Sequence, residues 1–250
     1  MPFALPIGLA LGLICFLLMH ATPGEPATRF AHWLGRALQG DLGISRVSGR
    51  PVAQELTVAL KNSLVLALAA ALIGALAGTL LGLHSAAHRS RWPYRMASAL
   101  AVLGVSLPHC WLGLALVAAF SASLGWLPAL DGGWLLPALA LGVVPAGSAT
   151  RAVQAAARES VARHCAPPPH GALQMLKDTV PAALAAAGTP PSQLLVGAML
   201  LEAVFHWPGA GQLLHAAIFQ RDVPVLQGTL AVLGLVFVLF RWAPKPAKRP

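Results

Sequence analysis

LLVGAMLLEAVFHWPGAGQLLHAAIFQRDVPVLQG, residues Leu194 to Gly228, is the most informative stretch of this 250-residue chain. From Leu194 to Phe205 every residue except Glu202 is apolar or glycine, the pattern of a helix inside a membrane. Glu202 stands within one turn of the outer end of that helix. An acid there is costly in lipid, so it should face protein or water. Pro208, Gly209 and Gly211 then enforce a tight turn. Arg221 and Asp222 stand where they can cap the start of a final helix near Val225. The stretch therefore reads as a hairpin outside the membrane, held between two spans.

The composition agrees. Apolar residues make up 57% of the chain and charged ones 10%, against roughly 25% charged in an ordinary soluble domain. A water-soluble fold of that balance would expose large apolar patches. The net charge of +9, from 17 Lys and Arg against 8 Asp and Glu, raises nucleic acid as a partner. The placement of the charges argues against it. They fall in short clusters between apolar runs, as loop charges of a membrane protein do. Aromatic residues are 6%, and no basic-aromatic platform for stacking bases appears.

Working outward, six apolar runs are expected to span. The first, residues 1–20, has the length of a signal-peptide core but lacks a basic start and a small-residue cleavage site, so it reads as a spanning helix. Residues 21–56 form a polar, Gly-rich external loop. The second run, Thr57 to Leu83, carries Gly74, Gly78 and Gly82 on one helix face, where another backbone can approach. His84 to Arg95 is basic and internal. The third run, Met96 to Leu124, is interrupted by Pro108, a bending point. The fourth, Trp134 to Thr150, returns inside. The fifth ends at Phe205 and the sixth runs from Val225 to Phe240. Residues 57–242 thus hold five helices and a long cytoplasmic loop over 150–187, and 243–250 form a cytoplasmic tail. The presumed internal segments hold 11 of the 17 Lys and Arg and the external ones 5, with Lys61 inside a span. That bias places both termini in the cytoplasm.

Metal and catalytic chemistry find no support. Cys15, Cys110 and Cys165 are far apart, with no CxxC or Cys-His spacing. His84 and His88 form an i, i+4 pair only in a basic loop, and His20, His109, His206 and His215 read as packing residues of spans or their ends. No nucleophile-base pair and no phosphate-cradling GxxxxGK[ST] loop appears.

The hairpin residues Glu202, Phe205, Pro208, Gly209, Gly211, Ala217, Ile218, Arg221, Asp222 and Pro224 resemble the Glu-x-x-Phe-x-x-Pro-Gly-x-Gly and Arg-Asp-x-Pro elements of the dipeptide, oligopeptide and nickel group of ABC importer permeases. Gly40-Asp41-Leu42-Gly43 with Ser45 and Pro51-Val52, Ser106, Pro108 and Trp111-Leu112-Gly113, and Leu136 to Gly142 with Arg151 resemble further segments of that family. The resemblance implies an all-α, six-helix permease bundle in a bacterial inner membrane. It implies a second permease subunit, giving a heterodimer, two ATPase subunits that bind the ATP, and a soluble substrate-binding protein. It also implies alternating access for di- or oligopeptides or nickel and metal chelates, with no cofactor on this chain and no enzymatic activity.

Two segments depart from the family pattern. The family's cytoplasmic coupling helix has an Ala-Arg-Ala-Lys-Gly core, whereas this loop reads RESVARHCAPPPHGALQMLKDTVP. Gly171 is the nearest substitute for the family glycine, Pro167 to Pro169 would break a helix, and Arg158, Glu159, Arg163, Lys177 and Pro181 are the candidate coupling residues. The first external loop is also short. Two other classes compete, a non-transporting membrane scaffold and a membrane-embedded enzyme. The enzyme would need further intramembrane acids, where only Glu202 comes close. Gly74, Gly78, Gly82 and Pro108 are candidate sliding and bending points of a bistable bundle.

Overall fold

The computed structural model describes residues 26–87, 109–123, 133–164 and 191–242, with the isolated positions 99 and 181. The expected first span, Pro108, Gly171, Lys177 and the tail lie outside them. The described residues form α1 (Pro26–Ala37), α2 (Val52–Ala87), α3 (His109–Leu116) continued by a π-helical segment (Val117–Ser123), α4 (Leu135–His164), α5 (Pro191–Phe205), α6 (Ala210–Phe219) and α7 (Val223–Trp242). Among them α2 and α4 are long and apolar enough to cross a membrane, and the pair α5 and α6 adds a third crossing if it is one broken span.

Three boundaries differ from those read in the sequence. Residues 21–56, expected as a polar loop, contain α1, a helix that their polar composition hides. The second helix begins at Val52 rather than Thr57, because the Pro51 carbonyl accepts the amide of Glu55 at 3.3 Å and the Glu55 carboxylate sits at the positive end of the helix. The fourth runs on from Thr150 to His164, so Arg151, Arg158, Glu159 and Arg163 lie on a helical extension and not in an irregular loop. Ala and Arg in that extension favour continuation.

The chain divides into two compact units, one of residues 65–205 and the other of residues 1–64 with 206–250. In the unit of residues 65–205, α2 shows an inverted pattern. Leu68, Leu72, Leu76 and Leu80 are more than half exposed, while Leu66, Ala70, Gly74, Gly78, Gly82 and Ser85 are buried. Water would reverse that arrangement, and lipid accepts it, because the hydrophobic effect does not separate Leu from acyl chains. The buried face packs on α4. A Cβ on Gly74 would lie closer than 3.0 Å to the Gly142 carbonyl oxygen and to Pro145, one on Gly78 equally close to the Ala146 carbonyl, and one on Gly82 2.7 Å from Val153 Cβ.

That close approach brings polar groups into reach. Thr150 Oγ1 donates to the carbonyls of Ala146 (2.8 Å) and Gly78 (3.1 Å), and Gln154 Nε2 donates to Ser85 Oγ (2.9 Å), which itself donates to the Gly82 carbonyl. Pro145 sits inside α4 and removes one helical hydrogen bond at the place where the two helices press closest. Alongside, Leu136, Leu141, Ala198, Leu201 and Phe205 form a core joined by Leu116, Val117 and Phe120. Gly113 lets α3 approach Leu201, whose Cδ2 would be 2.7 Å from an added Cβ. Thr150→Val should keep the seam's shape and lose about 0.6 kcal/mol, the usual worth of an interhelical hydrogen bond in a membrane. Thermal unfolding in detergent reads this, and a loss above about 2 kcal/mol would show that the hydroxyl holds the seam by itself.

Candidate functional site

In the unit of residues 1–64 and 206–250, residues 38–51 connect α1 to α2 and fold into a closed loop. The Asp41 carboxylate accepts the Gly43 amide at 2.9 Å and pairs with Arg36 at 2.8 Å. The Gly43 amide first, and then Arg36, hold the Asp41 carboxyl below its ordinary value of 3.8. Its contribution to stability is therefore complete above that ordinary value and is lost as pH falls through the lower folded one. Ile44 and Pro51 form an antiparallel bridge. Gly43 and Gly49, with φ of 94° and 69°, take the left-handed turns that bring them together.

The centre of the loop is Ser45, which is buried. Its hydroxyl accepts the amides of Val47 (3.3 Å) and Ser48 (3.0 Å) and donates to Asp222 Oδ2 at 2.5 Å. Asp222, only 2% exposed, also accepts the backbone amides of Arg46 (3.3 Å) and Val47 (3.4 Å). This departs from the capping role expected of Asp222. Its backbone carbonyl does accept the Leu226 amide at the start of α7, but its carboxylate reaches away to the 45–47 loop.

The turn that delivers Asp222 is a Schellman motif. The amide of Asp222 reaches the Ala217 carbonyl (2.9 Å) and that of Arg221 the Ile218 carbonyl (3.3 Å), with Arg221 at φ 53° in the left-handed region. A glycine fits that conformation without the Cβ penalty. Arg221→Gly is thus expected to keep the fold and to raise stability by up to about 1 kcal/mol. A lowered melting temperature would mean that the guanidinium makes a contact worth more than the strain.

The second tie is between α2 and the turn before α6. Asn62 Nδ2 donates to the Pro208 carbonyl (2.8 Å), Trp207 Nε1 donates to the Asn62 carbonyl (3.3 Å), and the Ala210 amide donates to Ser63 Oγ (2.9 Å). Gly209, in extended conformation at the N-cap, has no side chain to cap α6, so Ser63 supplies the acceptor from α2. Gly228 completes the packing. An added Cβ there would be 2.8 Å from Val52 Cγ1 and 3.3 Å from Leu42 Cβ. Between these ties lies an open groove of about 460 Å³, with Ser48, Gln54, Glu55, Asn62, Gln212 and Gln220 on its walls. Ser48 holds the Glu55 carboxylate at 2.5 Å, and the Gln212 Oε1 atom is buried with no donor among the described residues.

Of the residues singled out in the sequence, Pro208, Gly209, Gly211, Arg221 and Asp222 come together in this unit. Glu202 and Phe205 belong to residues 65–205, where both are buried, at 0% and 2% exposure. Gly74, Gly78 and Gly82 form the α2 seam. Arg158, Glu159 and Arg163 lie on the last turns of α4, and Pro181 is exposed. Ser45, Asn62 and Ser63 were not picked out as site residues. Ser45 had a signal, since it stands in the Gly-Asp-Leu-Gly segment, whereas Asn62 and Ser63 were visible only as polar residues near the start of an apolar run.

No protein-family model matches the chain. Its curated relatives include the glutathione transport system permease proteins GsiC of Escherichia coli O6:H1, Escherichia coli K12 and Salmonella typhimurium LT2, which are 30%, 29% and 30% identical to it. Each alignment runs over 279 positions and covers 94% of this chain and 90% of the relative.

Proposed function

The chain belongs to the permease subunits of the peptide/nickel family of ABC importers, and we propose that it forms one half of a path for small peptides across the bacterial inner membrane. The observation that carries this reading is the relationship over 94% of the chain to glutathione permeases. Peptides of glutathione's size are therefore the first substrates to test, ahead of longer peptides and of nickel or metal chelates. The chain is a membrane protein whose relatives are transport permease subunits. Six spanning helices with both termini in the cytoplasm remain the arrangement that best fits the apolar runs and the Lys and Arg bias.

In this reading the second permease subunit is a different chain, two ATPase subunits bind and hydrolyse ATP, and a soluble binding protein delivers the peptide. The groove and the ties from Ser45 to Asp222 and from Asn62 to Pro208 lie on the external side. The last turns of α4, with Arg158, Glu159 and Arg163, lead into the coupling segment of Gly171, Lys177 and Pro181. ATP closure there would bias a bundle of two arrangements, and the loaded binding protein would bias it from outside.

The test is reconstitution in proteoliposomes with the ATPase and binding-protein subunits. Glutathione-sized peptide should accumulate inside, vanadate should stop it, and Arg158→Glu with Arg163→Glu should lower both uptake and co-purification of the ATPase. Binding-protein-independent uptake, or an ATPase that does not co-purify with the unaltered chain, would overturn the reading.

A further inference from the structure

We propose that α1 and the adjoining face of the 38–51 loop form a binding site for the phosphate headgroup of an anionic lipid. The site is a second cavity, of about 450 Å³, lined among others by His32, Trp33, Arg36, Ile44, Arg46 and Gln227. None of its lining residues is a carboxylate. Arg36 shares its charge with Asp41, but Arg46 has no ion-pair partner among the described residues. Arg46, whose backbone amide but not its guanidinium meets the Asp222 carboxylate, thus offers an exposed guanidinium with no ion-pair contact among the described residues, which suits a phosphate oxygen in charge and in geometry.

The helix on its rim indicates where the phosphate comes from. In α1, PATRFAHWLGRA, the apolar residues Phe30, Trp33, Leu34 and Ala37 recur at helical spacing, the other face carries His32 and Arg36, and there is no acid. A basic, strongly two-faced helix with Trp and Phe on its apolar side is the kind that lies in the plane of a membrane interface. Its surroundings fit. Leu34 is 43% exposed and Leu38 82%, and Ile44 on the cavity wall is 62% exposed. These apolar side chains, beside Phe30 stacked on Trp33 at 6.0 Å, would meet acyl chains while Arg46 meets the headgroup.

Phosphatidylglycerol is titrated into the detergent-solubilised full chain and read as a rise in melting temperature, with phosphatidylcholine and inorganic phosphate as parallel arms. Phosphatidylglycerol alone should raise it. Arg46→Gln should need about fivefold more of the lipid, the worth of one basic residue at an anionic surface, and Arg46→Lys should recover most of the response. Three results would overturn the proposal. Equal effects of the two lipids would mean that no headgroup is recognised. The same rise with inorganic phosphate would mean a site for a free anion. An Arg46→Gln protein with unaltered lipid response but impaired uptake would place a protein partner there instead.

Discussion

Gly78→Leu should prevent recovery of folded, monodisperse protein. A Cβ at this position already lies closer than 3.0 Å to the Ala146 carbonyl oxygen and 2.8 Å from Ala149 Cβ. The obstacle is α4 backbone, so no side-chain rotation relieves it. Overpacking a core typically costs 1–3 kcal/mol, and here about 3 kcal/mol or more is expected, because the helices must separate along the whole seam. Separation also stretches the Thr150 bond to the Gly78 carbonyl and the Gln154 bond to Ser85. Leu76→Ala, on the exposed face of the same helix, should shift the melting temperature far less, since Leu76 is 66% exposed. Size-exclusion profiles and thermal unfolding in detergent compare the two. A Gly78→Leu protein that melts with the unaltered chain would show that α2 and α4 do not meet as described. The result also bears on transport, since a seam this tight has to give way as a unit if the helices slide against each other.

Sequence pattern made some of this structure legible and concealed the rest, for physical reasons. Membrane helices declare themselves by length and apolarity, so α2 and α4 are legible as apolar runs, and Pro208 and Gly209 mark the break between α5 and α6. The four-residue spacing of Gly74, Gly78 and Gly82 points to a helix contact, but nothing in it names the partner, because the matching series on α4, Gly142, Ala146 and Thr150, is blurred by the other small residues around it, Ala138, Ala140, Gly147, Ser148 and Ala149. The π-helical segment from Val117 to Ser123 is a backbone choice that Ala-rich composition does not announce. The segment before α2 is the largest gap. Short helices such as α1 draw stability from packing rather than from propensity, and a Gly-rich, charged surrounding masks them. Asp222 illustrates the same limit within the site. Local sequence offers it the free amides at the start of α7, and only the fold supplies the competing donors of Ser45, Arg46 and Val47, 175 to 177 residues away.

That competition makes Asp222 the most consequential side chain of its unit. Asp222→Ala should destabilise by about 2–4 kcal/mol, because it deletes bonds to a charged acceptor and leaves the Ser45 hydroxyl and the Arg46 amide without one, while the Val47 amide keeps only Ser45 Oγ. Asp222→Asn keeps an acceptor oxygen and should cost less than half as much. Ser45→Ala removes one partner from the other side. If the two residues act through their contact, the double variant Ser45→Ala with Asp222→Ala should be less damaging than the sum of the singles by about 0.5–3 kcal/mol. Strict additivity would mean that the carboxylate serves the Arg46 and Val47 amides and not Ser45. The consequence for transport follows from position. Loss of this tie releases residues 45–48 from the turn at Arg221 and alters one wall of the groove, so binding-protein-stimulated uptake should fall further than melting temperature alone accounts for. An Asp222→Asn protein with restored stability and restored uptake would assign the residue to folding alone. Restored stability with uptake still impaired would place the 45–48 wall in the delivery of substrate.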